Sequence, residues 1–233
     1  MRLRGVVSAA VVAAALALSG CSQEPPVRAA DGGPSPAGAP AQVRLRDALL
    51  TDRQLPPDFR LLTASATPDR HFSDVPITAM PCEELVVEGF TARHDRPAEG
   101  VSVGLEKPSD DWFGRESLDR YPPGRAAAVM AAVHGAAQRC ASYTATLPVD
   151  GSPTRNTVST AGVGGVAADD GLVLRISALG PGDGEPYVTE VALVREGDVI
   201  LTVHKTVAQQ PRSSVEAVLP AAVAAYRAAA GTP

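Results

Sequence analysis

Four histidines, His71, His94, His134 and His204, are the side chains in this chain whose ordinary pKa lies near neutrality, so any proton transfer would start with them. They are scattered, and the G-x-S-x-G elbow on which an α/β hydrolase mounts its serine does not occur. His94-Asp95 is the best adjacent acid–base pair. Neighbours on a strand point to opposite faces, however, so the pair reads as a solvated strand end. For metals there is no H-E-x-x-H, and the cysteines lack the C-x-x-C grouping of a zinc site. Asp110-Asp111, Asp169-Asp170 and Asp183-Gly184-Glu185 lack the alternating oxygen ligands of a calcium loop and read as solvated turns. Gly162-Val163-Gly164-Gly165-Val166-Ala167 fits the loose dinucleotide pattern, which requires a strand before it and a helix N-terminus after it. A second strand follows Asp169-Asp170-Gly171 instead, so the glycines read as a strand-to-strand turn. No catalytic residue, metal or cofactor is assigned, and the expectation is a protein that is not an enzyme. A binding surface remains: Trp112, with Phe113 beside it and Tyr121 nearby, could line a groove for an apolar or sugar ligand. The alternative is that Trp112 is the largest plug of the core.

The start of the chain carries chemistry of another kind. Arg2 and Arg4 precede an apolar run from Val6, which ends in Leu18-Ser19-Gly20-Cys21. This is the layout of a cleaved export signal. It resembles a bacterial lipoprotein signal, in which the cysteine is acylated, palmitate being a typical chain, and becomes the first residue of the mature protein. Cys21 is thus the expected lipidation site. Cys82 and Cys140 are then the remaining cysteines, and an exported location makes a disulfide between them the natural reading. Two separate buried thiols are the alternative.

Removal of residues 1–20 takes Arg2 and Arg4 with it and moves the formal charge from -5 to -7. No window clusters Arg or Lys densely enough for a polyanion, so nucleic acid is not an expected partner. Past the signal, no apolar run approaches the roughly twenty residues needed to span a bilayer. Residues 21–42 are rich in proline, glycine and alanine and read as a flexible tether.

Order is expected from Val43. Leu45, Ala48 and Leu49 recur at helical spacing, and a short strand follows over Phe59–Thr63. Cys82 and Leu85 suggest a single helical turn, leading to an extended Phe90–His94. Val101, Val103 and Leu105 alternate as a half-buried strand, and Trp112–Tyr121 reads as another. The clearest helix is Arg125–Cys140, with Ala126, Val129, Met130 and Val133 on one face. Strands are expected over Ser142–Leu147, Asn156–Ala161, Leu172–Leu179, Tyr187–Arg195 and Asp198–Val207, the last two flanking a tight turn at Glu196-Gly197. On the final strand Val199, Leu201 and Val203 share one face, and Ile200, Thr202 and His204 the other. A closing helix follows Ser214, with Ser213 and Glu216 in a capping-box pattern and Pro220 delaying or kinking it. Hairpin-connected strands with segregated helices indicate an α+β domain on an antiparallel sheet.

Leu49-Leu50-Thr51-Asp52-Arg53-Gln54-Leu55-Pro56, Pro81-Cys82-Glu83-Glu84-Leu85, the Cys140 helix and Gly197-Asp198-Val199-Ile200-Leu201-Thr202-Val203 carry a family resemblance. With the lipobox and tether, the chain resembles the extracellular sensor domain of the mycobacterial kinase PknH and related actinobacterial lipoproteins, over about residues 43–230. The resemblance implies a twisted antiparallel sheet with flanking helices, disulfide support and a cleft for an unidentified ligand. The kinase's domain usually has two disulfides, whereas this chain has cysteines for one besides Cys21. The expected function is a lipid-anchored, extracytoplasmic, non-enzymatic binding or sensing domain at the cell membrane, with a small molecule or a protein as ligand. An envelope lipid or glycolipid carrier is the alternative.

Overall fold

The computed structural model describes residues 44–62, 71–146, 151–209 and 213–231. The expected signal at 1–20, Cys21 and the tether at 21–42 lie outside the described residues. In chain order the regular elements are β1 (Arg60–Leu61), α1 (Phe90–His94), β2 (Glu99–Lys107), β3 (Trp112–Arg120), α2 (Arg125–Arg139), β4 (Ser142–Thr146), β5 (Pro153–Ala161), β6 (Asp170–Leu179), β7 (Tyr187–Glu196), β8 (Val199–Gln209) and α3 (Leu219–Ala230). Short 3-10 turns at Leu45–Ala48, Ile77–Ala79, Cys82–Val86 and Val215–Ala217 support them.

Every strand pair is antiparallel, and among the described residues they form one open eight-stranded sheet in the order β1-β2-β3-β8-β7-β6-β5-β4. The fold is therefore α+β. One meander runs from β1 to β3 and another from β4 to β8; α2 carries the chain between them, and β8 returns to lie against β3. The β7–β8 hairpin pairs Glu196 with Val199, so its two-residue loop is Gly197-Asp198, one position later than expected. Gly197 takes φ +59°, a conformation that costs glycine little.

Both faces of the sheet are covered, and the alternation along β8 shows how. Val199, Leu201 and Val203 face a core closed by α3 and the Leu45–Ala48 turn. Ile200 faces a second core, with Leu172, Leu174, Ile176, Val191 and Leu193, beneath α2. Burying each such side chain stabilises the fold by roughly 1.5–3 kcal/mol. The α2 face is the one expected, with Ala126, Val129, Met130 and Val133 buried. The expected bridge is present: Cys82 and Cys140 are disulfide-bonded, their Cα atoms 5.5 Å apart, which ties the Cys82–Val86 turn to the end of α2.

Three local expectations change. Phe90–His94 is helical: Gly89 turns the chain at φ +71°, and the helix then buries Phe90 and His94, four residues apart on one face. The capping box does not form: Ser214, not Ser213, precedes the first turn and makes no side-chain cap, Ser213 Oγ accepts from Lys107 Nζ at 3.0 Å, and Val215 N–H donates to Glu190 Oε2 at 3.1 Å. Pro220 delays α3 and does not kink it. It sits in the first turn, where its missing N–H would have had no helical partner.

Candidate functional site

The face of the sheet beneath α2 is apolar over β6 and β7 and changes character over β2, β3 and β8. Register makes the change explicit. Ser102 pairs with Ser117, and Ser117 pairs with Thr202, so three hydroxyl-bearing residues stand in one cross-strand row. The next row is Gly104, Arg115 and His204. Facing side chains on such strands lie roughly 4.5–5.5 Å apart at Cβ, so this is a continuous polar floor. Helix α2 does not extend over it.

The floor is roofed by the segment from Cys82 through α1, a 3-10 turn and one short helix held by discrete ties. Cys82 is bonded to Cys140, and Arg139 Nη2 donates to the Met80 carbonyl at 3.0 Å. His204 Nε2 donates to the Val86 carbonyl at 3.1 Å, and Glu88 is ion-paired with Arg115. His94 Nδ1 donates to the Val75 carbonyl at 2.6 Å, with Nε2 3.4 Å from Glu84 Oε2. Leu85 and Phe90 anchor the segment in the second core. Between roof and floor lies a cavity of about 100 Å³, lined by Gly89 and Ala92 above and by Ser102, Ser117, Thr202 and His204 below.

His204 is the group that sets this cavity apart. Only 3% of it is exposed, and burial pushes its pKa below the usual histidine value. The imidazole is therefore neutral near pH 7, with its proton on Nε2 for the Val86 carbonyl. Nδ1 is left as a bare acceptor and has no partner among the described residues. Thr202 Oγ1, in a residue 4% exposed, also lacks one among the described residues. Buried polar atoms are nearly always bonded, and on this lining Arg93 Nε and Arg115 Nε are likewise buried without a hydrogen bond among the described residues. A larger groove of about 580 Å³ runs between Arg46–Thr51 and Gly100–Val103, but among the described residues no buried orphan polar atom lines it.

The opposite face holds a second polar set. Lys205, Glu190 and Arg175 lie directly opposite one another on β8, β7 and β6. Arg175 Nε donates to Glu190 Oε1 at 2.9 Å, and Lys205 Nζ donates to the Ser213 carbonyl at 2.5 Å. Burial lowers the Lys205 pKa. One strand away, Glu116 is fully buried, accepts from Leu50 N–H at 2.8 Å, and has its pKa pushed up to about 8 by burial. These groups fasten Leu50, Ser213 and Val215 to the sheet.

The residues singled out from the sequence are placed as follows. Trp112 is fully buried, edge-on to Phe59 at 5.1 Å in the first core, while Tyr121 is buried in the second core. The two rings lie on opposite faces and share no groove; the plug reading of Trp112 is the one observed. Its indole lies over Gly114, where a Cβ would come within 2.7 Å of the ring. His94-Asp95 is no solvated strand end, since His94 is buried in α1 and Asp95 is ion-paired with Arg125. Asp110 is not solvated either: its side chain is 4% exposed, 3.8 Å from Lys107 Nζ. The 162–167 glycine stretch links β5 to β6 as a loop. Among the described residues no cluster could hold a metal ion, and no helix is long and apolar enough to cross a membrane.

Ser102, Ser117, Thr202 and Arg115 were not singled out. The one signal available was the polar pair Thr202 and His204 on the face of β8 that Ile200 opens as apolar. No family model and no curated protein matches the chain.

Proposed function

We propose that this protein is a lipid-anchored, extracytoplasmic binding or sensing domain of the PknH-like kind, whose ligand site is the cavity between the Cys82–His94 roof and the floor of β2, β3 and β8. The observation that carries the reading is the cavity itself, enclosed between the tied-down roof and the polar floor, with the buried His204, fixed at Nε2 by the Val86 carbonyl, in its lining. The small hydroxyl-floored space supports a compact ligand and not the acyl chains that a lipid carrier would enclose.

The anchor rests on Leu18-Ser19-Gly20-Cys21 following a basic, then apolar, start. A structural disulfide accords with life outside the cytoplasm. The signal at 1–20 would be cleaved and residues 21–42 would serve as the tether.

Two measurements test the two halves. A panel of envelope fragments should contain a compound that raises the melting temperature of the purified protein in a concentration-dependent way; silence across a wide panel counts against binding. Cys21→Ala should move the protein from the membrane fraction to the soluble fraction, still folded by circular dichroism. Retention of that variant on the membrane would contradict a single anchor.

A further inference from the structure

His204 joins the sheet to the roof. Its ring stands on β8 and donates from Nε2 to the Val86 carbonyl at 3.1 Å, so one side chain of the floor holds the end of the Cys82–Val86 turn in place. The Cys82–Cys140 bridge fixes the start of that turn, and the Arg115–Glu88 ion pair supplies a second polar tie beside the first. The other ring nitrogen decides what a proton does here. Nδ1 has no partner among the described residues and almost no accessible surface. A neutral ring leaves only a bare acceptor at that atom. An imidazolium would carry an N–H there with neither water nor an acceptor in reach, a buried charge with an unpaired donor, which is far more costly. Protonation therefore requires that the roof move and let water reach the ring.

The surroundings offer an imidazolium no spare counter-charge. The titratable and charged groups that share this space are Glu88 and Arg93 of the roof, Arg115 and Asp119 of β3, and His71; β7 sets the apolar Val191 opposite the ring. Glu88 favours a charged ring, but it is ion-paired with Arg115, whose guanidinium opposes one. Arg93 Nε lies 3.4 Å from Glu84 Oε2, and Asp119, 1% exposed, is itself engaged. Burial outweighs the attraction of Glu88, and the closed roof holds the ring below its ordinary pKa of 6.5. An open roof returns the ring to water and to that ordinary value. Below 6.5 the open form thus takes up a proton that the closed form refuses, and each further unit of pH favours opening by up to about tenfold.

We propose that His204 is an acid-released latch on the cavity: neutral, it fastens Val86 over the floor, and on protonation it lets the Val86–His94 segment lift from β3 and β8. Its bearing on ligand binding rests on the reading of this cavity as the site. The lifting itself needs no ligand, so its failure would leave that reading standing.

The test is amide hydrogen exchange of the purified protein by NMR between pH 7 and pH 5, corrected for the intrinsic pH dependence of exchange, with the His204 ring resonances followed alongside. The Val87, Arg93 and Asp95 amides report on the roof, since each donates within it, to the Glu84, Gly89 and Thr91 carbonyls. Their protection should fall roughly tenfold in step with the His204 ring titration, while the Leu193 and Leu201 amides keep theirs. His204→Gln keeps a side-chain amide to donate to the Val86 carbonyl and removes the titration, so its roof protection should stay level across the same range. An equal loss of protection in that variant would overturn the latch and assign the acid response to His94, Glu84 or Glu88. Should the variant fold poorly, the wild-type protein decides alone. A His204 ring that titrates while roof protection holds, or roof and sheet amides that lose protection together, would overturn the proposal.

Discussion

Glu116 shows how much a single side chain sets the behaviour of this fold. It is buried under Leu50 with one carboxylate oxygen bonded to that N–H, and the other, Oε1, has no partner among the described residues. Burial favours the protonated form and raises its pKa from 4.5 to about 8. A raised pKa means that the folded state holds the proton more tightly than the unfolded state. Its contribution to stability is therefore complete below about pH 4.5 and is lost as pH rises through about 8. Glu116→Gln keeps an acceptor for Leu50 N–H and removes the titration. Urea unfolding at pH 5 and at pH 9 should show the variant close to wild type at the lower pH and more stable at the higher. A variant that is less stable than wild type at pH 9 would contradict this account. His204 runs the other way, since its depressed pKa makes its contribution fall as pH drops below 6.5.

The roof segment depends on ties more than on regular structure. The Cys82–Cys140 bridge closes a loop of 58 residues in sequence, which in the chain-entropy model stabilises the fold by roughly 4 kcal/mol. Its local effect is to pin the Cys82–Val86 turn, whose Val86 carbonyl orients His204. On reduction, amide hydrogen exchange should accelerate first in Phe90–Asp95, while the Leu193 and Leu201 amides in the centre of the sheet stay protected. Uniform acceleration across both would show that the bridge supports the whole fold and not the roof. Elements whose burial follows from a single stretch were legible in the sequence: α2 from its apolar stripe and β8 from strict alternation. The helix at Phe90–His94 was not, because five residues are too few to show a period, and its turn is imposed by Gly89 and by contacts with distant residues. The missing capping box has the same origin. Lys107, 106 residues away, donates to the Ser213 Oγ that the local pattern assigned to the helix N-terminus.

The cavity belongs to the assembled sheet. Ser102, Ser117 and Thr202 are ordinary strand residues until register places them side by side, and pairing across such separations leaves no local trace. Alternation on β8 did put Thr202 and His204 on one face; what it could not show is that α2 stops short of them and that a strap covers the gap. Trp112 illustrates the converse, a residue conspicuous in composition that the fold spends on its core. The account therefore turns on whether the space above His204 is a binding site. The most direct measurement is the 15N resonance of His204 Nδ1 while envelope-derived small molecules are added to the purified protein. The account predicts that a ligand shifts this resonance saturably, with the His134 ring unmoved. A ligand that stabilises the protein while leaving His204 Nδ1 unchanged would contradict it.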